Sequence, residues 1–263
     1  MDLALEGKVA IVAASSKGIG KAIALALARE GTKLAICARG EETLKGTADE
    51  IIGKTGVEVL AIKADVTVEE DVQRLVRSAA EKFGRIDILV SNSGGPPTGV
   101  FEDIPQETWE NAVDLNLMST IYLCRAVIPY MKKQKWGRII NMTSVSVKQP
   151  IDGLILSNAV RAGVVGLSKS LSNEMAKDNI LINVVGPGYT LTERVRELAK
   201  SKAMKEGISE EEVYEAWEER IPLGRLARSD EIANLVVFLA SEKASYITGT
   251  TIQVDGGLVK SLL

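Results

Sequence analysis

The stretch KVAIVAASSKGIGKAIALALAREG, residues 8–31, decides how the chain folds. It opens as an unbroken apolar, β-branched run and passes through a turn carrying Gly18 and Gly20. It continues as an amphipathic pattern of helical period that stops at Gly31. A strand, a glycine turn and a helix in that order leave free backbone amides at the start of the helix. Glycines there let the backbone bend tightly and approach a pyrophosphate, which the amides and the helix dipole hold. A glycine pair alone is a weak signal. Directly after the first strand of a strand–helix–strand unit, AASSKGIG (13–20) reads as a dinucleotide cradle.

The second strand of that unit ends at Arg39, in CARGEE. A carboxylate at that point would hold the ribose 2′-hydroxyl of NAD, whereas an arginine neutralises the 2′-phosphate of NADP. Lys17, in the glycine turn, adds a second positive charge. Two basic groups and no acid favour NADP(H) over NAD(H).

The same rhythm runs along the rest of the chain. KVAIVAA (8–14), KLAICA (33–38), VEVLAIKA (57–64), IDILVS (86–91), RIINMTS (138–144), ILINVVG (180–186) and TIQVDGG (251–257) read as strands. Their apolar runs are continuous rather than alternating, as in a parallel sheet covered on both faces. Amphipathic stretches lie between them. EEDVQRLVRSAAEKFG follows Thr67 as its N-cap, and TWENAVDLNLMSTIYLCRAVIPYMKKQ is long enough for Pro129 to kink or divide it. The pattern predicts an α/β fold: a doubly wound, seven-stranded parallel sheet of Rossmann type with helices on both faces. It forms one domain over residues 1–263, a length usual for single α/β units of roughly 250 residues. One charged helical segment, from about 190 to 222, interrupts the last unit, with Ser209 and Glu212 placed as a capping box. Inserted after a strand's carboxyl end, it lies over the crevice where such sheets bind ligands, and reads as a substrate lid.

Composition excludes several functions. The net charge of −3 offers no electrostatic footprint for nucleic acid or an anionic membrane. The absence of histidine removes Ser-His-Asp hydrolysis and most zinc sites, and no metal site is expected. Cys37 and Cys124 have no metal or redox spacing and read as buried, reduced thiols. The N-terminus runs straight into a strand without a leader pattern, and no apolar run is long enough to span a bilayer, so the expected location is the cytoplasm.

With these motifs in place, the whole chain resembles the short-chain dehydrogenase/reductase family. Its nearest look is that of 3-oxoacyl-carrier-protein reductases and related sugar or alcohol dehydrogenases. The resemblance implies a homotetramer acting on a small carbonyl or alcohol substrate. The family's Thr-Gly-x-x-x-Gly-x-Gly motif appears here as Ala13, Ala14, then Gly18 and Gly20, with Ser16, Lys17 and Ile19 inside the turn. The first glycine has become Ala14, which needs only a conformation open to alanine. ADV resembles the adenine-holding segment, with Asp65 and Val66; SNSG resembles the family's Asn-Asn-Ala-Gly, with Asn92, Ser93 and Gly94 along the cofactor. NVVGPG resembles the turn beside the nicotinamide, giving Pro187 and Gly188, with Thr190 and Thr192 reaching the carboxamide or the phosphates. SGGPPTG (93–99) suggests a stiff loop near the same spot, without an assigned role.

The resemblance implies a catalytic set of Asn116, which supports a proton-relay water, and Ser144, which bonds the substrate oxygen. Thirteen residues after Ser144 the family has its tyrosine and four further its lysine, and the flanking RAGVVGLSKSL puts Ser157 and Arg161 at those two positions. A phenol starts from a pKa of about 10, and acid–base help of this kind is worth about 10²–10⁴-fold. A serine hydroxyl is a far weaker acid and shorter. Arg161 keeps the charge and suits the ribose hydroxyls, but cannot usefully give up a proton. Three readings stay open. The first is an oxidoreductase with a rebuilt proton path, through Ser144, Ser157 and a water on Asn116, or through Tyr189, which otherwise packs. The second is a cofactor-binding sensor or regulatory partner without hydride chemistry. The third is a different reaction in the same pocket.

Overall fold

The computed structural model describes residues 2–262; Met1 and Leu263, the ends of the expected 1–263 span, lie outside the described residues. The strands are β1 (Val9–Val12), β2 (Lys33–Ala38), β3 (Val59–Lys63), β4 (Ile88–Ser91), β5 (Gly137–Met142), β6 (Ile180–Pro187) and β7 (Thr251–Val254). Helices α1 (Gly18–Arg29), α2 (Glu41–Thr55) and α3 (Glu69–Phe83) connect the first four strands. Helices α4 (Gln106–Val113) and α5 (Ser119–Gln134) lie between β4 and β5, and α6 (Ile155–Met175) between β5 and β6. Helices α7 (Glu193–Glu206), α8 (Glu210–Glu218) and α9 (Ser229–Ala240) precede β7. The strands form one sheet in the order β3-β2-β1-β4-β5-β6-β7, every neighbouring pair parallel. This is the expected seven-stranded, doubly wound sheet. Its order reverses between β1 and β4, and the crevice above their carboxyl ends is where such folds take ligands.

Both faces are apolar, so side chains of successive residues feed two different cores. Ala10 and Val12 of β1 pack with α1, α2 and α9 through Ile23, Leu27, Leu44, Ile51, Ile232 and Val236. Ile11 and Ala13 pack on the other face with α3 and α5 through Val72, Leu75, Leu123 and Val127. Burial on both faces is why the strands read as continuous apolar runs. At the amino edge of the sheet, buried Asp87 accepts from the Val9 amide at 2.9 Å and holds Arg85 through two bonds of 2.7 Å. A third cluster joins α7 and α8 to the loop after β5 through Val145, Val195, Ala199, Val213 and Trp217.

Three local expectations are corrected. The N-cap of α3 is Val68, not Thr67, because Asp65 Oδ1 accepts both the Thr67 amide (3.0 Å) and its hydroxyl (2.8 Å), tying Thr67 into the preceding turn. Pro129 lies inside α5 without dividing it. The break falls earlier, at a π-helical turn over Asp114–Met118, where the ladder widens by one residue. Several strands are also shorter at their ends than their apolar runs, β1 and β7 most visibly. No helix among the described residues is long and apolar enough to cross a membrane.

Cys37 and Cys124 are fully buried, and burial pushes both thiols up to about 12, against about 8.5 for a free thiol. The folded state keeps these protons while the unfolded chain loses them. Their contribution is therefore intact below the unfolded pKa and is lost as pH rises from about 9 toward 12. The expected outcome is that neither thiol reacts with Ellman's reagent at pH 8 until urea unfolds the chain. A Cys37→Ala, Cys124→Ala variant should lose stability less steeply above pH 9 in urea titrations. Rapid labelling of the native protein would contradict this burial.

Candidate active site

The cleft starts at the turn from β1 into α1. Ala14 takes a left-handed backbone with φ of +49° and Gly18 one of +57°. The expectation that position 14 needs a conformation open to alanine is thus corrected. The turn demands the region that a Cβ resists by about 1–2 kcal/mol. Gly20 is required for a different reason: a Cβ there would collide with Ala14 O and stand 2.9 Å from Asn92 Nδ2. Asn92 Nδ2 in turn donates to the carbonyls of Ala13 (3.4 Å) and Ala14 (3.5 Å), which fastens the end of β4 to the turn. Ser16 O accepts from Thr47 Oγ1 at 2.9 Å, which braces the turn against α2. Helix α1 has no acid in its first turn and no side-chain cap at Lys17, so its leading amides, around Ile19 and Gly20, remain free for an anion. A Cβ on Gly94 would meet nothing within 4 Å, so space lies open above that residue. Free amides, close helix approach and open space fit a dinucleotide.

The basic pair divides. Arg39 stands exposed just beyond β2, with no ion-pair partner among the described residues. Lys17, expected to add a second positive charge, pairs with Glu193 at the start of α7, and that contact holds the Glu193 carboxyl below its usual range. Asp65 shapes the turn before α3, and Val66 is buried. Thr190 is buried and donates to Gly188 O at 3.1 Å; Gly188 lies so close to Asp255 that a Cβ would stand 2.9 Å from its Cα. Thr192 caps α7 by accepting from Val195 N, and its Cγ2 lies 3.4 Å from where a Gly18 Cβ would be. Ser209 and Glu212 form the expected capping box of α8.

The four residues read as catalytic are brought to one end of the cleft. Asn116, in the π-helical turn, donates through Nδ2 to Ser93 Oγ (2.7 Å) and Gly94 O (2.9 Å). Its Oδ1 is buried and has no partner. Arg161 donates from Nη2 to the same Gly94 O at 3.2 Å and from Nη1 to Met142 O at 3.3 Å. Burial brings its guanidinium down to about 10, with Arg194 a second cause, so it stays charged at neutral pH. Ser144 Oγ accepts from Ser146 N at 3.1 Å, leaving its own hydrogen to donate. Ser157, one turn before Arg161, lies 3.3 Å from Ser146 Oγ, whereas Ser146 meets Ser144 through its backbone amide.

Two residues were missed in the sequence. Ser146 gives no signal beyond the repeat in SVS, and only the short 3₁₀ turn over Val145–Val147 brings it inward. Arg194 looked like one more solvated lid charge, yet its Nη2 donates to Pro96 O at 2.7 Å. Tyr189 stacks on Trp217 at 4.7 Å and 10°, and burial raises its phenol above the ordinary value, which makes it a weaker acid. Its role in this geometry is packing.

A parallel sheet with a glycine turn at its switch point and this polar cluster opposite defines a nucleotide-binding α/β protein of dehydrogenase type. A family model described as enoyl-(acyl carrier protein) reductase matches residues 13–259. The chain belongs to the short-chain dehydrogenase/reductase family. It is 36% identical to a 3-oxoacyl-(acyl-carrier-protein) reductase of Aquifex aeolicus over 98% of this chain and all of the relative. Among solved structures, L-sorbose reductase from Gluconobacter frateurii, complexed with NADPH and L-sorbose, superposes with a TM-score of 0.95 at 35% identity over the full length of both chains. Actinorhodin polyketide ketoreductase with NADPH gives 0.93 at 32% identity, over 97% of this chain and 98% of the other.

Two substitutions test the turn in opposite directions. Ala14→Gly should relieve the left-handed strain and raise stability by about 1 kcal/mol in urea denaturation, part of the gain offset by glycine's extra chain entropy. Gly20→Ala should displace α1 and abolish nucleotide binding in a fluorescence titration. Retained affinity in that variant would mean that the turn does not cradle the phosphates.

Proposed function

We propose that the chain is an NADP(H)-dependent oxidoreductase acting on a small carbonyl or alcohol, with a proton path that uses no phenol at position 157. The cofactor, when bound, supplies or accepts the hydride. Arg39, unpaired by any acid among the described residues, takes the 2′-phosphate. The amides at the start of α1 take the pyrophosphate, with Ser16, Ile19 and Gly20 forming the turn around it. Asn92, Ser93 and Gly94 form the floor, and Pro187, Gly188, Thr190 and Thr192 the far wall. NADPH in the two solved neighbours supports the choice of cofactor.

The observation that carries the reading is the convergence of Asn116 and Arg161 on Gly94 O, which leaves Asn116 Oδ1 buried and unpaired. An orphaned acceptor in a polar niche is a place for a water. Ser144 donates to the substrate oxygen and regains its proton from a water held by Asn116; the hydroxyl pair of Ser146 and Ser157, 3.3 Å apart, lies behind it, and Ser146 meets Ser144 only through its backbone amide. Arg161 stays charged and stabilises negative charge that develops on the substrate oxygen. It gives up no proton near pH 7, because burial brings it only to about 10. Helices α7 and α8 act as the lid, latched to the turn by Lys17 and Glu193. The same reading makes the protein a cytoplasmic homotetramer with neither nucleic acid nor membrane as partner. Exposed Tyr246, Leu223 and Leu262 supply apolar surface for a neighbouring copy.

A second reading, cofactor binding without turnover, is favoured by Arg161 spending two of its donors on main-chain carbonyls. Titration with NADPH and NADH, followed by nicotinamide fluorescence, should show tighter NADPH binding. Arg39→Asp should weaken NADPH by about 10–100-fold, the worth of a charge-assisted contact. Equal affinity for both in the wild type removes Arg39 as a phosphate reader. Turnover of small ketones and a 3-oxoacyl thioester should fall about ten-fold or more in Ser144→Ala and Ser157→Ala. An inert wild type beside a Ser157→Tyr, Arg161→Lys variant that reduces ketones establishes the binding reading instead.

A further inference from the structure

Arg161 is a buried cation without a counter-ion. It and Ser157 are each only 7% exposed, and no carboxylate pairs with Arg161 among the described residues. The carbonyls of Met142 and Gly94 accept from it but supply no net charge. The other charged group acting on it is a second guanidinium, Arg194, which arrives from α7 and holds Pro96 O. Two cations therefore grip carbonyls two residues apart in one loop, those of Gly94 and Pro96. Arg194 keeps a loose pair with Glu197 at 3.7 Å, in which both side chains are part-exposed.

This arrangement is unfavourable as it stands. A charge removed from water needs a partner of opposite sign, and a like charge nearby increases the need. Deprotonation offers no escape at neutral pH, since the group titrates near 10. Loss of the charge through a neutral side chain would cost the fold nothing electrostatically, yet two arginines stand here. Asn116 Oδ1, the acceptor assigned to the relay water, cannot itself meet an anion, so the unmet need at this loop is negative charge beside Arg161.

Resting on the oxidoreductase reading, we propose that the substrate is an oxo or hydroxy acid whose carboxylate is held between Arg161 and Arg194. A guanidinium has five N–H donors in a planar fork; two are spent on carbonyls, and those remaining match the edge of a carboxylate. A dinucleotide's phosphates have their own donors at the start of α1, so they do not answer this charge. Arg161 is then the specificity-determining residue, and Arg194 couples lid closure to recognition of the acid.

The test uses the full chain saturated with NADP⁺, so that oxo acids form a complex that cannot turn over. Straight-chain 2-oxo and 3-oxo acids and their neutral amides are titrated by calorimetry. The acids should bind about ten-fold or more tighter than the amides, the worth of a charge-assisted hydrogen bond. Arg161→Met, compared at NADP⁺ concentrations that saturate the variant, should abolish that preference, and Arg194→Met should reduce it. Should Arg161→Met fail to fold, Arg161→Lys should retain a smaller preference, since it keeps the charge and loses the fork. Equal affinity for acid and amide, binding of neither, or a preference that none of these changes moves overturns the proposal. Protein that does not bind NADP⁺ overturns the cofactor reading instead, and the acid–amide comparison without nucleotide then decides the anion site alone.

Discussion

The glycine-turn end of the cleft depends on how closely α1 approaches the end of β1. That approach exists because residue 20 has no side chain: Gly20 lies against the Ala14 carbonyl and the amide of Asn92. Any Cβ there would push the helix outward and carry its free amides away from the switch point. The close contact has a local cost, since Ala14 is held in a left-handed conformation that glycine takes freely. The surroundings over-determine that conformation. Ser15 is buried with its hydroxyl on Val12 O at 2.8 Å and its amide on Cys37 O, so the turn cannot relax without breaking contacts to two strands. Strain of this kind persists where the surrounding structure demands it, and ligand clamps are a usual place for it.

The opposite wall is organised around a single carbonyl. Gly94 O accepts from Asn116 and from Arg161, which come from different helical elements. The π-helical turn at Asp114–Met118 inserts the extra residue that carries Asn116 toward the cleft. A comparison within the molecule shows how unusual the charge here is. Arg138 is also buried, but it lies over the Trp136 ring at 4.3 Å and pairs with Glu242 at 3.4 Å, which also accepts from the Trp136 indole. That is how this fold treats a structural arginine. Arg161 has no such company among the described residues: it meets only the main-chain carbonyls of Met142 and Gly94.

The sheet was legible because burial on both faces writes each strand as a continuous apolar run, and because glycines and caps punctuate the helices. Strand ends were overestimated where the apolar run continues into buried loops, as at Ala13 and Ala64. In the glycine turn, positions that act through the backbone were readable: Gly18 takes a positive φ, and Gly20 allows the close approach of helix to strand. Roles that depend on side-chain partners were not. Lys17 looked like a phosphate reader until α7 placed Glu193 against it. Ser146 and Arg194 carry no motif, since a 3₁₀ turn and a helix docking angle decide where they point. Thr67 was misread as a cap because Asp65 competes for its hydroxyl, a preference that sequence spacing does not rank.

The short hydroxyl at position 157 changes what the site must do electrostatically. A phenol can bear charge during proton transfer; an aliphatic hydroxyl cannot near neutral pH. On the proposed reading Ser144 therefore exchanges its proton with water in one concerted step in which no serine becomes an anion, since Ser146 meets it only through a backbone amide. Such an exchange needs a strong field at the oxygen that gains the negative charge, and a fixed guanidinium supplies one better than a mobile ammonium. Burial favours this role, because a low-dielectric setting enlarges the field of a charge that stays ionised. Arg194 on Pro96 O and Glu193 on Lys17 are adjacent residues at the start of one helix, so the docked α7 places a positive charge at the cleft and neutralises one at the glycine turn. On the proposed reading, closure thus moves positive charge from the cofactor's end of the cleft to the substrate's.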